Sequence, residues 1–260
     1  RASTTETLES FGPAPDGEVE DYKVEVTQPI IFGYKWFDYN QDGFWDKDNS
    51  GNWDMNGNGY YNYFEEWPID NWLIVAKNEA DDPIWEEEIE ANDGGVDDGE
   101  DSPVLEDGKI YLIEAEGTFY SGYTGTTTLS AQNHYGDYLD VVADAEYISH
   151  DDWGTYDNPT DLELQIDDQD VNWGSYNDAH LYKYVYEGEG KSINLSIYEE
   201  QFEWYQDNFG SLTVRIYDVT NTSTRTDQDG YYEIPVEAGE YQVVEELYGR
   251  WQTTEPVNPS

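Results

Sequence analysis

Apolar and polar residues alternate along much of this chain, and short Gly- and Asn-rich turns separate the alternating runs. Lys109-Ile-Tyr-Leu-Ile-Glu-Ala-Glu, Ser192-Ile-Asn-Leu-Ser-Ile-Tyr and Leu212-Thr-Val-Arg-Ile-Tyr each follow the two-residue period of a strand with one face buried. No segment keeps a helical period over three turns. Ile84-Trp-Glu-Glu-Glu-Ile-Glu-Ala is the one stretch that reads as a short helix, over residues 85–91. The pattern predicts an all-β fold built of sandwiches. The aromatic content of 16%, with 24 Tyr and 10 Trp, suits strand packing and cross-strand pairing. Surface Tyr and Trp also stack on sugar rings, which leaves glycan binding as a second use.

The alternation breaks between residues 38 and 65. Asp38, Asp46 and Asp54 recur every eight residues, and each opens an Asp-x-(Asp/Asn)-x-(Asp/Asn/Ser)-Gly unit. Calcium takes six to eight oxygens on a tightly turned backbone. The side chains of Asp38, Asn40 and Asp42, of Asp46, Asp48 and Ser50, and of Asp54, Asn56 and Asn58 supply positions 1, 3 and 5 of three successive loops. The carbonyls of Phe44, Asn52 and Tyr60 supply position 7. Glu65 completes the third loop with a carboxylate able to bind through both oxygens. Asp46 and Asp54 each close one loop and open the next, so several Ca2+ ions would share ligands. The competing reading is a set of Asx-rich surface turns. The aromatic flanks lack a helical period, which argues against EF-hands.

Charge narrows the partners. The chain has 260 residues, 59 acids and 11 bases, for a net charge of -48. Nucleic acid and anionic membrane are excluded as electrostatic partners. Such a chain repels itself unless bound cations or high salt intervene. Residues 79–107 hold 14 acids and no Lys or Arg, the composition of a solvated linker. An ordered alternative there is a further calcium site at Asp93, Asp97, Asp98 and Asp101. There is no cysteine, and no apolar run approaches a membrane span. No leader precedes Arg1, the expectation for a mature or trimmed product. Millimolar calcium is an extracellular condition, which predicts an extracellular or cell-surface location. Asn194 and Asn221 sit in glycosylation sequons.

Three partial resemblances refine the organisation. Gly17-Glu-Val-Glu-Asp-Tyr22 resembles the closing strand of the GEVED domains of bacterial and archaeal surface proteins. Val19, Tyr22, Val24 and Val26 would form a strand with unpaired edges, fit to pack on a neighbouring domain or to add to another subunit. Ile31-Phe-Gly-Tyr-Lys-Trp-Phe-Asp-Tyr-Asn-Gln-Asp-Gly, then Trp72-Leu-Ile-Val, resemble the first two strands of the Cna-B-like repeats of Gram-positive surface adhesins. Thr226-Asp-Gln-Asp-Gly-Tyr-Tyr-Glu-Ile and Ala238-Gly-Glu-Tyr-Gln-Val-Val-Glu-Glu resemble the closing half of the same module. Some relatives carry a Lys–Asn isopeptide crosslink, but the spacing of Lys35, Glu245 and Asn258 argues against one here. Residues 107–218 are similar to calcium-dependent galactose-binding bacterial lectins, through Ala115-Glu-Gly-Thr-Phe-Tyr-Ser-Gly and Tyr205-Gln-Asp-Asn-Phe-Gly-Ser-Leu-Thr-Val. That resemblance implies calcium ligands at Glu200, Asp207 and Asn208 and carbonyl ligands at Trp204 and the Tyr120–Ser121 turn. The implied architecture is an N-terminal extension strand (1–28), a split Ig-like sandwich (29–78 with 219–260), an acidic linker (79–106) and an inserted β-sandwich (107–218).

Catalysis is not indicated. Only three His occur, at 134, 150 and 180, and acids are so common that a carboxylate pair carries no signal. Neither a Gly-x-Ser-x-Gly elbow nor a His-Glu-x-x-His pair is present. The sequence therefore reads as a calcium-stabilised structural protein, a fibre subunit whose partners are other copies of itself. Alternatives are a calcium-dependent glycan-binding adhesin and a spacer within a large surface protein.

Overall fold

The computed structural model describes residues 28–37, 67–91, 99–120, 141–150, 154–157, 162–199 and 208–247. Among them the fold is all-β, and the one helical feature is a single 3-10 turn, Thr220–Thr222.

Strands from the two ends of the chain pair with each other. β1 (Ile30–Tyr34) runs antiparallel to β15 (Tyr231–Pro235). β2 (Leu73–Asn78) lies between β14 (Ser223–Arg225) and β16 (Tyr241–Glu245). Residue alternation explains how these two small sheets stack. Trp72, Ile74 and Ala76 point to one side of β2 and pack with Ile234 and Val236. Leu73 and Val75 point to the other. β2 is thus buried on both faces, which is why Leu-Ile-Val-Ala reads as a continuous apolar run and not as an alternation.

The larger unit has two sheets. One contains β3 (Trp85–Glu90), β5 (Ile110–Glu116), β6 (Phe119–Tyr120), β7 (Val141–Ala143), β8 (Tyr147–His150), β9 (Gly154–Asp157), β11 (Leu181–Glu187) and β13 (Phe209–Asp218). The other has the order β10 (Leu162–Ile166), β12 (Asn194–Glu199), β4 (Glu100–Asp101). Ile113, Ala115, Leu212, Val214 and Ile216 meet Leu164, Leu195 and Ile197 between them. The opposite face of the large sheet is also covered. Ile110, Leu112, Val185, Tyr217 and Val219 form a single cluster with Leu73 and Val75 of β2. At roughly 1.5–3 kcal/mol for each fully buried aliphatic side chain, this shared layer welds the two units together.

Two expectations are corrected. Residues 85–90 form a strand, not a helix: Trp85 pairs with Ile216 and Glu90 with Ser211 along β13. Helix propensity of a Glu-rich segment is a weak preference, and pairing along β13 overrides it. Glu86 accepts from Arg215 Nε at 2.5 Å, and Glu88 accepts from Ser211 at 2.6 Å and Thr213 at 2.7 Å. The acidic stretch is likewise built into the sandwich and is not a free linker along its described residues. It contributes β3 and β4, and it buries Ile89, Ala91 and Leu105 in the core. Asp93, Asp97 and Asp98 lie outside the described residues, and Asp101 accepts a hydrogen bond from Asn194 Nδ2 at 3.1 Å.

Candidate metal loop and the Asp144 cluster

The metal-loop residues, Asp38 through Glu65, lie outside the described residues, as do Glu200, Trp204 and Asp207 and the strand residues Val19, Tyr22, Val24 and Val26. The base of the loop is described. Trp36 and Pro68 form an antiparallel bridge, and the Phe37 amide donates to the Trp67 carbonyl at 2.9 Å. The Phe37 and Trp67 rings stack at 4.4 Å with 21° between planes. The two ends of the Asp/Asn-rich segment are therefore held side by side, and the closure entropy of the loop is met by the flanking sheet. The donors on the segment are all oxygens, interspersed with glycines. That set fits a hard cation such as calcium and gives nothing to a thiolate- or imidazole-seeking metal.

The Asp227–Gly230 turn sits against this base. Gly230 has φ +72°, and a Cβ there would lie 2.3 Å from the Lys35 carbonyl oxygen. The Lys35 amide donates to the Gly230 carbonyl at 2.8 Å. Asp227 Oδ1 accepts from the amides of Asp229 at 2.9 Å and Tyr231 at 3.0 Å. Here an Asp-x-Asp-Gly sequence braces a turn with its own carboxylate, the same competing use weighed for the metal loops. Lys35 and Glu245 do meet in space, as an ion pair at 2.5 Å, with Lys35 Nζ 5.4 Å from the centre of the Trp72 ring. Asn258 lies outside the described residues.

Asn208 is buried, and its Nδ2 donates to the Ala91 carbonyl at 3.1 Å, tying the start of β13 to the end of β3. Among the described residues no group of three or more His, Asp or Glu side chains converges to hold a metal. Of the two sequons, Asn221 is exposed in the 3-10 turn, whereas Asn194 is half-buried and its amide donates to Asp167 Oδ1 at 2.9 Å. Asn221 is the accessible acceptor.

The structure also assembles a polar cluster that the sequence reading did not find. Asp144, only 2% exposed, follows β7. Its Oδ1 accepts from the amides of Glu146 at 3.0 Å and Tyr147 at 2.7 Å. Its Oδ2 bonds His180 Nδ1 at 2.7 Å and accepts from the Tyr182 hydroxyl at 2.8 Å. Glu146, also buried, accepts from the Trp173 amide at 2.8 Å, and Tyr147 donates to the Gly174 carbonyl at 3.1 Å. Tyr176 meets the His180 ring edge-on at 5.7 Å. One carboxylate thus joins the β7–β8 turn to β11 and to the segment before it. Every partner of Asp144 spends its hydrogen bond on positioning, so the arrangement is a brace. Of the three histidines, His134 lies outside the described residues, whereas His180 is built into this network. Its signal is absent from local sequence because Asp144 and His180 are 36 residues apart.

Burial raises several phenols. The Tyr182 hydroxyl is pushed far up by burial and then by the Asp144 charge, and Tyr217 is pushed up to about 12 by burial and then by Glu114. Burial also raises Tyr184, Tyr186 and Tyr232. The folded state holds these groups neutral while unfolded phenols ionise near pH 10. Their contribution is complete below pH 10 and falls as pH rises through the raised folded values, which for Tyr217 is about 12. The expected result is a tyrosinate absorbance step that coincides with loss of the β circular dichroism signal. Ionisation of these phenols near pH 10 in a still-folded protein would contradict it.

Comparison with known families, curated proteins and solved structures finds no match to this chain.

Proposed function

We propose that this protein is an extracellular, calcium-stabilised structural protein of the cell surface, a fibre subunit linked through its N-terminal strand. The observation that carries the reading is the closed base of the 38–66 segment. Trp36–Pro68 and Phe37–Trp67 gather the two ends of a segment whose donors are spaced for calcium. Ions bound there would draw the loop into one shape and offset part of the -48 charge. The role is mechanical: the loop lies between β1 and β2, which pack together between the small sheets, and β2 carries Leu73 and Val75 into the layer shared with the larger sandwich.

Calorimetric titration tests the metal assignment. Asp54→Ala and Glu65→Ala are each expected to lower the calcium stoichiometry by about one ion or to weaken one site at least tenfold, because each removes an anchoring carboxylate from the complete loop. Unchanged stoichiometry and affinity in both variants would remove calcium from the proposal. Electron microscopy with and without chelator tests the fibre. Filaments that soften or disperse on chelation support it, whereas monodisperse particles that bind a glycan array only with calcium favour the adhesin reading.

A further inference from the structure

We propose that Asn221 is an N-glycosylation site, taking an oligosaccharide from a lipid-linked sugar phosphate, and that the second sequon, at Asn194, stays unmodified. This rests on the extracellular location proposed above.

Both sequons have the Asn-x-Ser form, Asn194-Leu195-Ser196 and Asn221-Thr222-Ser223. The fold separates them. Asn194 opens β12, which lies between β10 and β4. Its side chain is engaged: Nδ2 donates to Asp101 Oδ1 at 3.1 Å, and a Cβ at Gly99 would lie 2.5 Å from Asn194 Oδ1. Its backbone is engaged as well. The Asn194 amide donates to Asp167 Oδ1 at 2.9 Å, and its carbonyl accepts from the Asp167 amide at 2.8 Å. Ser196 lies inside the strand, opposite Gln165. A sugar on Asn194 Nδ2 would displace Asp101 and part β4 from β12.

Asn221 has the opposite setting. It is the exposed middle residue of the 3-10 turn Thr220–Thr222, which joins β13 of the larger sandwich to β14 of a small sheet. Its neighbours hold the turn. The Thr220 amide donates to Asp218 Oδ1 at 3.1 Å, and the Ile110 amide donates to Thr220 Oγ1 at 3.1 Å. The Thr222 amide donates to the Val219 carbonyl at 3.0 Å, and the Ser223 hydroxyl donates to the Thr220 carbonyl at 3.0 Å. The turn is thus fixed by residues on either side of Asn221, and a bulky, solubilising group on Asn221 would break none of these bonds. In the transfer, Asn221 Nδ2 attacks the anomeric carbon of the donor sugar. A C–N bond forms as the bond from that carbon to the phosphate oxygen breaks, the amide gives up one proton, and the lipid phosphate leaves. The sugar would shield an exposed turn of the kind that proteases nick.

Trypsin separates the two sites. Cleavage after Lys191, Arg215 and Arg225 puts Asn194 in peptide 192–215 and Asn221 in peptide 216–225. The full chain, purified from the surface fraction of the cells that make it, is digested and both peptides are sequenced by fragmentation mass spectrometry. Peptide 216–225 is expected to carry a sugar mass on Asn221, and peptide 192–215 to carry none. Asn221→Gln and Ser223→Ala, expressed in the same cells, are each expected to lose the sugar completely. Ser223→Thr keeps the sequon hydroxyl and is expected to retain it. All three variants are expected to keep the β circular dichroism of the parent. Unmodified peptide 216–225 in protein recovered from the surface would overturn the site and leave the extracellular reading standing, whereas protein found only inside the cell would end both. A sugar that persists in Asn221→Gln would sit on a neighbouring Thr or Ser hydroxyl and overturn the Asn221 assignment. A sugar on peptide 192–215 would overturn the choice between the sequons.

Discussion

Chelation of calcium is expected to lower the midpoint of thermal unfolding by roughly 15–30 °C. A site filled at one hundred times its dissociation constant adds about 2.7 kcal/mol, so three sites add about 8 kcal/mol. For a chain of this size each kcal/mol moves the midpoint by roughly 2–4 °C. The effect reaches the whole fold because the loop base is continuous with β1 and β2. Trp36 and Phe37 follow β1, and Trp67 and Pro68 lead to Trp72 in the core between the small sheets. Scanning calorimetry in calcium, in chelator, and in chelator with added sodium chloride separates site binding from screening of the -48 charge. A drop that sodium chloride alone fully restores would mean that calcium acts here as a generic counter-ion.

Replacing Asp144 by Ala is expected to destabilise the fold by about 3–5 kcal/mol. The change removes the acceptor of two backbone amides, the Tyr182 hydroxyl and His180 Nδ1. A buried donor left unsatisfied costs about 1–3 kcal/mol, and the four losses overlap because one cavity relaxes around them. Tyr182→Phe removes a single bond and its hydroxyl together, so about 1 kcal/mol is expected. Urea unfolding followed by tryptophan fluorescence measures both. A loss under about 1 kcal/mol for Asp144→Ala would show that the cluster does not brace the β7–β8 turn against β11.

Strand character was legible where one face is buried or both are. Residues 110–116, 194–199 and 209–218 are strands as their apolar positions predicted. The pattern failed at residues 85–90, where spacing of Trp85 and Ile89 by four matches a helix turn. Only the Ser, Thr and Arg residues waiting on β13 make those glutamates a strand. Composition misread the acid-rich stretch for the same reason: three buried residues, Ile89, Ala91 and Leu105, outweigh the exposed carboxylates around them. No local pattern reports the Lys35–Glu245 ion pair, which forms because the pairing of β1 with β15 and of β2 with β16 brings these distant segments together.

By itself the sequence determined the β class, through two-residue alternation. It also determined the acidity, the calcium-type donor spacing and the solvent-seeking surface, since these are properties of residue type and short-range order. Only the tertiary structure decided that β2 is buried on both faces, that the small sheets and the larger sandwich share the Leu73, Val75 and Leu112 layer, and that Asp144 serves donors from three segments. The physical reason is range. Periodicity reports what one segment prefers, whereas burial on a second face and the partners of a buried carboxylate are set by residues tens of positions away.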